Sequence, residues 1–222
     1  EIESLITVTI KSSGAAKLVD AESNLLNTEI LTRLYGIVYE EDFEDSDGGF
    51  THTGTFDEWE WGTPITWPSA AASGLKCWGT DLDGDYEDNA NMTLLSPIIN
   101  LTYLPDGMPV NIQWMQAWHL ESSWYDPVSV QYTIDGGSTW TDIWVHSGST
   151  TQAPWQRLSQ DISAAAGKNI QIRWLFSTDF SIVYSGIYID DIIIEAGNDD
   201  FTGMEIVYPV SGMGAEKEAQ FE

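Results

Sequence analysis

Between residues 81 and 88 the chain gathers five carboxylates, Asp81, Asp83, Asp85, Glu87 and Asp88, around Gly84. A calcium ion takes six to eight oxygens at about 2.3–2.6 Å, and alternate carboxylates in a tight glycine-containing loop can supply several of them. The opening D-x-D-G-D matches the start of an EF-hand loop and then departs from it. Tyr86 stands where that loop turns on glycine, and Met92 where it needs a bidentate Glu. Asp81, Asp83 and Asp85 therefore read either as a calcium loop of another kind or as a solvated acidic hairpin. A second acidic pair, Asp190-Asp191, interrupts the apolar run from Ile187 to Ile194. A carboxylate in such a strand is costly to bury unless it is paired or metal-bound. Basic partners are scarce: 8 Lys and Arg face 35 Asp and Glu, for a formal charge of -27. A hard dication is the expected neutraliser. The plainer alternative is that one Asp points to water and the other caps a loop.

The aromatic content offers a different chemistry. Of 11 Trp, Trp59, Trp61, Trp118 and Trp124 are candidates for a sugar-stacking platform, since indole rings pack on the apolar faces of sugars. Trp also fills the cores of large sandwiches, and both readings stand at this level. Catalysis finds little support. There is no H-E-x-x-H, and His52, His119 and His146 are isolated from one another. No G-x-S-x-G turn occurs. Cys77 lies between Lys76 and Trp78, without the neighbours of a papain-type nucleophile, and reads as a core residue. Carboxylate pairs alone single nothing out among 35 acids. The expectation is a protein that is not an enzyme.

The charge narrows the partners. Nucleic-acid binding needs a basic footprint that releases counterions, and eight dispersed basic residues do not build one. An anionic membrane surface is disfavoured for the same reason. No run of 18 apolar residues is present, so no helical membrane insertion is expected. A single cysteine excludes an intrachain disulfide and the disulfide-stapled class of small secreted domains. Secretion stays compatible, because calcium can staple a domain instead. The chain starts at Glu1 without a signal peptide, and both ends read as cuts through a longer polypeptide.

The positioning elements are strands. Val110, Ile112, Trp114 and Trp118 fall on one face over 110–118, and Val128, Val130, Tyr132 and Ile134, like Ile170, Ile172, Trp174 and Phe176, recur at every second position. Period-two alternation means strands with one face in a core. Asp135-Gly136-Gly137 between two such runs is a hairpin signal. The surrounding Thr133 to Trp140 matches the Asp-box pattern S/T-x-D-x-G-x-T-W, in which Asp and Thr brace the turn and Trp packs beneath it. Ile6 to Ile10 and Met204 to Val210 read as further strands. Asn24 to Tyr35 has roughly helical spacing but is also compatible with a strand, and Ile162 to Gly167 reads as a helical turn. Many strands with little helix mean a sandwich or a barrel.

Four segments in order then resemble a known family: Glu41 to Asp45 (EDFED), Cys77 to Pro97, Tyr132 to Trp140 and Gly186 to Ile192 (GIYIDDI). Together they resemble the MAM-like jelly-roll accessory domain of secreted microbial proteases of the immune inhibitor A and bacillopeptidase F types. The resemblance implies an all-β jelly-roll β-sandwich of two antiparallel sheets over 39–196. Residues 1–38 and 197–222 flank it, the latter as a linker and tail. It implies a non-catalytic, extracellular or cell-surface accessory module with structural Ca2+. In the jelly rolls this chain resembles, an acid near the first strand and an Asp in the last meet at one calcium. That assigns Glu44 with Asp190 and Asp191. Expected partners are neighbouring domains of the parent polypeptide and a polysaccharide or cell-surface protein. A carbohydrate-binding module and an adhesin or surface-layer building block are the alternatives.

Overall fold

The computed structural model describes residues 4–9, 36–149, 151–197 and 205–210, the two terminal strands and residue 151 by backbone only. The helical expectation at Asn24 to Tyr35 lies outside the described residues. In chain order the strands are β1 (Ser4–Thr9), β2 (Gly36–Glu41), β3 (Thr51–Thr55), β4 (Trp59–Gly62), β5 (Cys77–Thr80), β6 (Asn91–Leu95) and β7 (Ile99–Asn100). They continue as β8 (Val110–Leu120), β9 (Val128–Thr133), β10 (Thr141–Val145), β11 (Thr151–Asp161), β12 (Asn169–Ser177), β13 (Gly186–Ala196) and β14 (Glu205–Val210). The chain falls into two compact units. In one, β1 and β14 pair antiparallel, Ser4 opposite Val210 and Thr9 opposite Glu205.

The other unit is the sandwich. One six-stranded sheet runs β10-β9-β12-β6-β3, with β7 also on β12; the other runs β11-β8-β13-β5-β4, with β2 also on β13. Every pairing is antiparallel. The alternation read from sequence sets the core. Ile170, Ile172, Trp174 and Phe176 of β12 all point inward, as do Val110, Ile112 and Trp114 of β8. The inward face of β8 continues with Gln116, which is fully buried. Its Oε1 accepts the indole N–H of Trp114 at 2.8 Å, while its Nε2 is buried without a partner among the described residues. The expected helical turn is a short 3-10 helix, Ser163–Ala165.

The hairpin from β9 to β10 has the bracing its motif implies. Asp135 Oδ1 accepts the backbone N–H of Thr139 at 2.8 Å and Oδ2 accepts its hydroxyl at 2.6 Å. The Thr133 hydroxyl donates to Asp135 and accepts the N–H of Gly137 at 3.0 Å. Gly136 and Gly137 sit at positive φ, 70° and 90°, where a Cβ is disfavoured. Trp140 closes the turn through its indole N–H on Gly137 O, with the Arg173 guanidinium 3.9 Å over its ring. These donors hold the Asp135 carboxyl down to about 2. A carboxylate whose folded value is depressed stabilises the fold above the unfolded value near 4, and that stability is lost as pH falls from about 4 towards 2. Asp135→Asn should therefore melt below the parent protein at pH 6, with the gap closing towards pH 2. A gap unchanged across that range, read by thermal melts, contradicts the bracing role.

Candidate cation sites

One edge of β13 is shared by two strands. Tyr188 and Ile189 pair with β5, whereas Ile192 to Ala196 pair with β2. The changeover falls on Asp190-Asp191. There the β13–β8 ladder slips between Asp190 and Ile193, and Asp191 sits at φ 46°. The bulge turns the fully buried Asp190 carboxylate towards the loop that leads into β5. Its Oδ2 accepts the N–H groups of Ala72 and Ser73 at 2.9 and 3.2 Å, and its Oδ1 accepts that of Asp191 at 2.8 Å. The Ser73 hydroxyl donates to Asp191 Oδ1 at 2.7 Å. Glu44, from the turn after β2, reaches the same loop: Leu75 and Lys76 N–H both donate to its Oε1 at 2.8 Å. Gly74 lets it come that close, since a Cβ there would lie 2.2 Å from the Glu44 carboxyl carbon.

The structure thus brings Glu44, Asp190 and Asp191 to one loop through its topology. Burial pushes the Asp190 carboxyl up to about 7 against the pull of its amide donors. The Cys77 thiol is raised by burial first, then by Asp190 and Glu44, which places all three in one neighbourhood. Cys77 is buried, as expected. Lys76 is the basic residue close by, yet its ammonium donates to the Glu44 backbone carbonyl at 2.8 Å and lies 4.5 Å over the Trp61 ring. Among the described residues the ion pair within 4.0 Å is His52–Asp57, so these carboxylates have no basic side-chain partner there. The three acids do not bring their oxygens within 4.8 Å of one another, so a shared ion would also draw on backbone carbonyls or water.

Asp81, Asp83 and Asp85 form an acidic turn. Asp81, at φ 60°, accepts the N–H of Asp83 at 3.1 Å, and Gly84 packs against its Oδ2. Burial, with Asp83 and Glu60 as like charges, raises the Asp81 carboxyl. Asp85 Oδ1 accepts the Ser185 hydroxyl at 3.4 Å. Leu82 and Tyr86 anchor the turn in the interior. These three carboxylates likewise do not converge within 4.8 Å.

Among the described residues a different trio does: one oxygen each of Glu121, Asp126 and Asp179 lies within 4.8 Å of the others. Nothing in the sequence spacing signals it. Glu121 and Asp126 stand between β8 and β9, and Asp179 stands 53 residues beyond Asp126, between β12 and β13; only the antiparallel pairing of β9 with β12 unites them.

The structure places the four aromatic candidates in different environments. Trp59 is 2% exposed and belongs to the core, so it offers no face to a ligand. For Trp59 the core reading of its indole holds. Trp61 is partly buried, donating to Phe43 O at 2.9 Å beneath Lys76. Trp118 packs on Trp144, ring centroids 5.4 Å apart. Trp124 is 87% exposed, with the half-exposed Tyr125 beside it.

The fold and these sites define an all-β jelly-roll sandwich that carries its acidic groups on the edge of one sheet and on loops at the sheet ends. No protein-family model matches the chain. Over 156 residues, 70% of its length, it is 38% identical to Bacillopeptidase F of Bacillus subtilis (strain 168), and the chain spans 10% of that protein. Among solved structures it is similar to the K3 cleaved adhesin domain of Lys-gingipain from Porphyromonas gingivalis w83. That match has a TM-score of 0.46 and 15% identity, covering 73% of this chain and 99% of that one. It is also similar to the C-terminal family 22 carbohydrate-binding module of Clostridium thermocellum Xyn10B. There the TM-score is 0.47 at 16% identity, over 74% of this chain and 96% of that one. No helix among the described residues is long and apolar enough to cross a membrane.

Proposed function

We propose that the chain is a non-catalytic accessory sandwich of a larger secreted or surface-bound, protease-like protein, stabilised by calcium. The observation that carries this reading is the 38% identity to a stretch making up one tenth of Bacillopeptidase F. A segment of that size with its own two-sheet core has the makings of a module. Its work would be to hold neighbouring domains in order or to engage a surface or substrate. Glu44, Asp190 and Asp191 would hold the ion. Their oxygen donors suit a hard dication, and Asp190 is a buried carboxylate without a basic side-chain partner among the described residues. The ion would neutralise these carboxylates and tie β2, β13 and the loop before β5 together. The purified chain should not hydrolyse casein, simple esters or common polysaccharides. Turnover that survives purification and vanishes on changing one carboxylate overturns the non-catalytic reading.

A second reading, carbohydrate binding, is favoured by one observation: Trp124 projects almost fully into solvent next to Tyr125. An exposed indole beside a second ring is the arrangement that stacks on a pyranose. On this reading soluble polysaccharide shifts the intrinsic fluorescence of the protein, and Trp124→Ala removes the shift. A glycan array that stays blank, with no fluorescence change, leaves the structural module alone.

A further inference from the structure

We propose that Glu121, Asp126 and Asp179 form a second calcium site, separate from the one at Glu44, where β8 leads into β9 and β12 into β13. The cluster is built rather than scattered. Asp126 is 1% exposed; its Oδ2 accepts the Tyr86 hydroxyl at 2.5 Å and its Oδ1 accepts the N–H of Asp179 at 3.0 Å. Asp179 is oriented in turn by the N–H of Ser181 at 2.9 Å. Glu121 is 7% exposed, and its Oε2 is buried with no hydrogen-bond partner among the described residues. A buried carboxylate oxygen without a donor, facing two further carboxylates, is an arrangement that folding should avoid.

No Lys or Arg forms an ion pair with these acids among the described residues. His146 lies close, but its Nε2 is engaged by the backbone carbonyl of Glu121 at 3.1 Å. Burial, then the neighbouring carboxylates, push Glu121 above the ordinary carboxylate range, and burial raises Asp126 as well. Two things can resolve such a trio, a retained proton or a cation. The donor set is all oxygen, which selects a hard dication over zinc or copper. Three carboxylates can give three to six oxygens to an ion of irregular coordination, which suits calcium better than the strict octahedron of magnesium. An ion here would clamp the loops that carry Trp124 and Phe180, both strongly exposed, and through Tyr86 the acidic turn as well.

The proposal does not depend on the accessory-module reading, and its test is arranged to be independent of the Glu44 site. The full chain is stripped with chelator and melted in chelator and in millimolar calcium chloride, as the parent protein, Glu121→Gln, and each again in a Glu44→Ala background. Without metal, Glu121→Gln removes a buried like charge and should melt at least ~2 °C above its parent. With calcium the order should reverse, because the variant binds at this site about tenfold or more weakly. In the Glu44→Ala background, terbium luminescence sensitised by the aromatic side chains should survive, and adding Glu121→Gln or Asp179→Asn to that background should remove it. A shift of the same sign in both buffers, or terbium binding undiminished by Glu121→Gln in the Glu44→Ala background, overturns the site and leaves a proton-sharing cluster.

Discussion

Trp174→Ala should cost about 3–5 kcal/mol of folding stability, which in a chain of this length lowers the melting temperature by roughly 6–20 °C. Trp174 comes from β12 of one sheet and Trp114 from β8 of the other, and both are completely buried. Their rings meet edge to face, centroids 6.5 Å apart at 84°, with Phe50 a further 6.2 Å neighbour of Trp174. The pair bridges the two sheets, so truncation opens a cavity between layers rather than at a rim. The two indoles differ in one respect that separates packing from hydrogen bonding. The Trp114 N–H donates to Gln116, whereas the buried Trp174 N–H has no partner among the described residues. Trp114→Phe leaves the buried Gln116 Oε1 without its donor and adds a penalty of about 1–3 kcal/mol to its lost volume. Trp174→Phe removes an unsatisfied donor and should be the milder change. Urea unfolding of the two variants measures this directly, and equal losses would refute the assigned role of Gln116.

The same strands show why the sandwich was readable from sequence and the sites only in part. In β12 the residues alternate so regularly that Ile170, Ile172, Trp174 and Phe176 identify the inward face unaided. Period two is a local property, and local properties survive without tertiary information. The Asp135 hairpin was legible for the same reason: its braces are all within a few residues. Asp190 was legible because a carboxylate in an apolar run is costly wherever it lands. Its partners were not. The amides of Ala72 and Ser73 lie more than a hundred positions away and arrive only because β5 and β2 share one edge of β13. Glu121, Asp126 and Asp179 carry no local mark at all and become neighbours when β9 pairs with β12. Trp59 shows the converse case. Residue type alone does not distinguish an indole for the core from an indole for a ligand, and β4 turns this one inward.

Calcium is expected to have the second large effect. A ligand that binds only the folded state stabilises it by about 2.7 kcal/mol when its free concentration is 100 times Kd. Against a typical folding free energy of roughly 5–15 kcal/mol that is a substantial fraction. It takes on special weight in a chain whose single cysteine forms no internal disulfide. The Glu44 site concentrates the expectation, since it joins the first and last strands of the sandwich to the loop before β5. Glu44→Ala also removes the acceptor of two backbone amides, so the variant should melt lower than the parent even in chelator. The informative quantity is therefore the gain on adding calcium, not the absolute melting temperature.

The most direct measurement is a pair of melting curves for the full chain and for Glu44→Ala, each in chelator and in millimolar calcium, with sodium chloride at equal ionic strength as control. The parent protein should gain about 5–11 °C from calcium and nothing comparable from sodium. Glu44→Ala should lose a large part of that gain while keeping whatever the Glu121 site contributes. Identical curves for the parent in chelator and in calcium, or a variant that gains as much as the parent, would contradict the account.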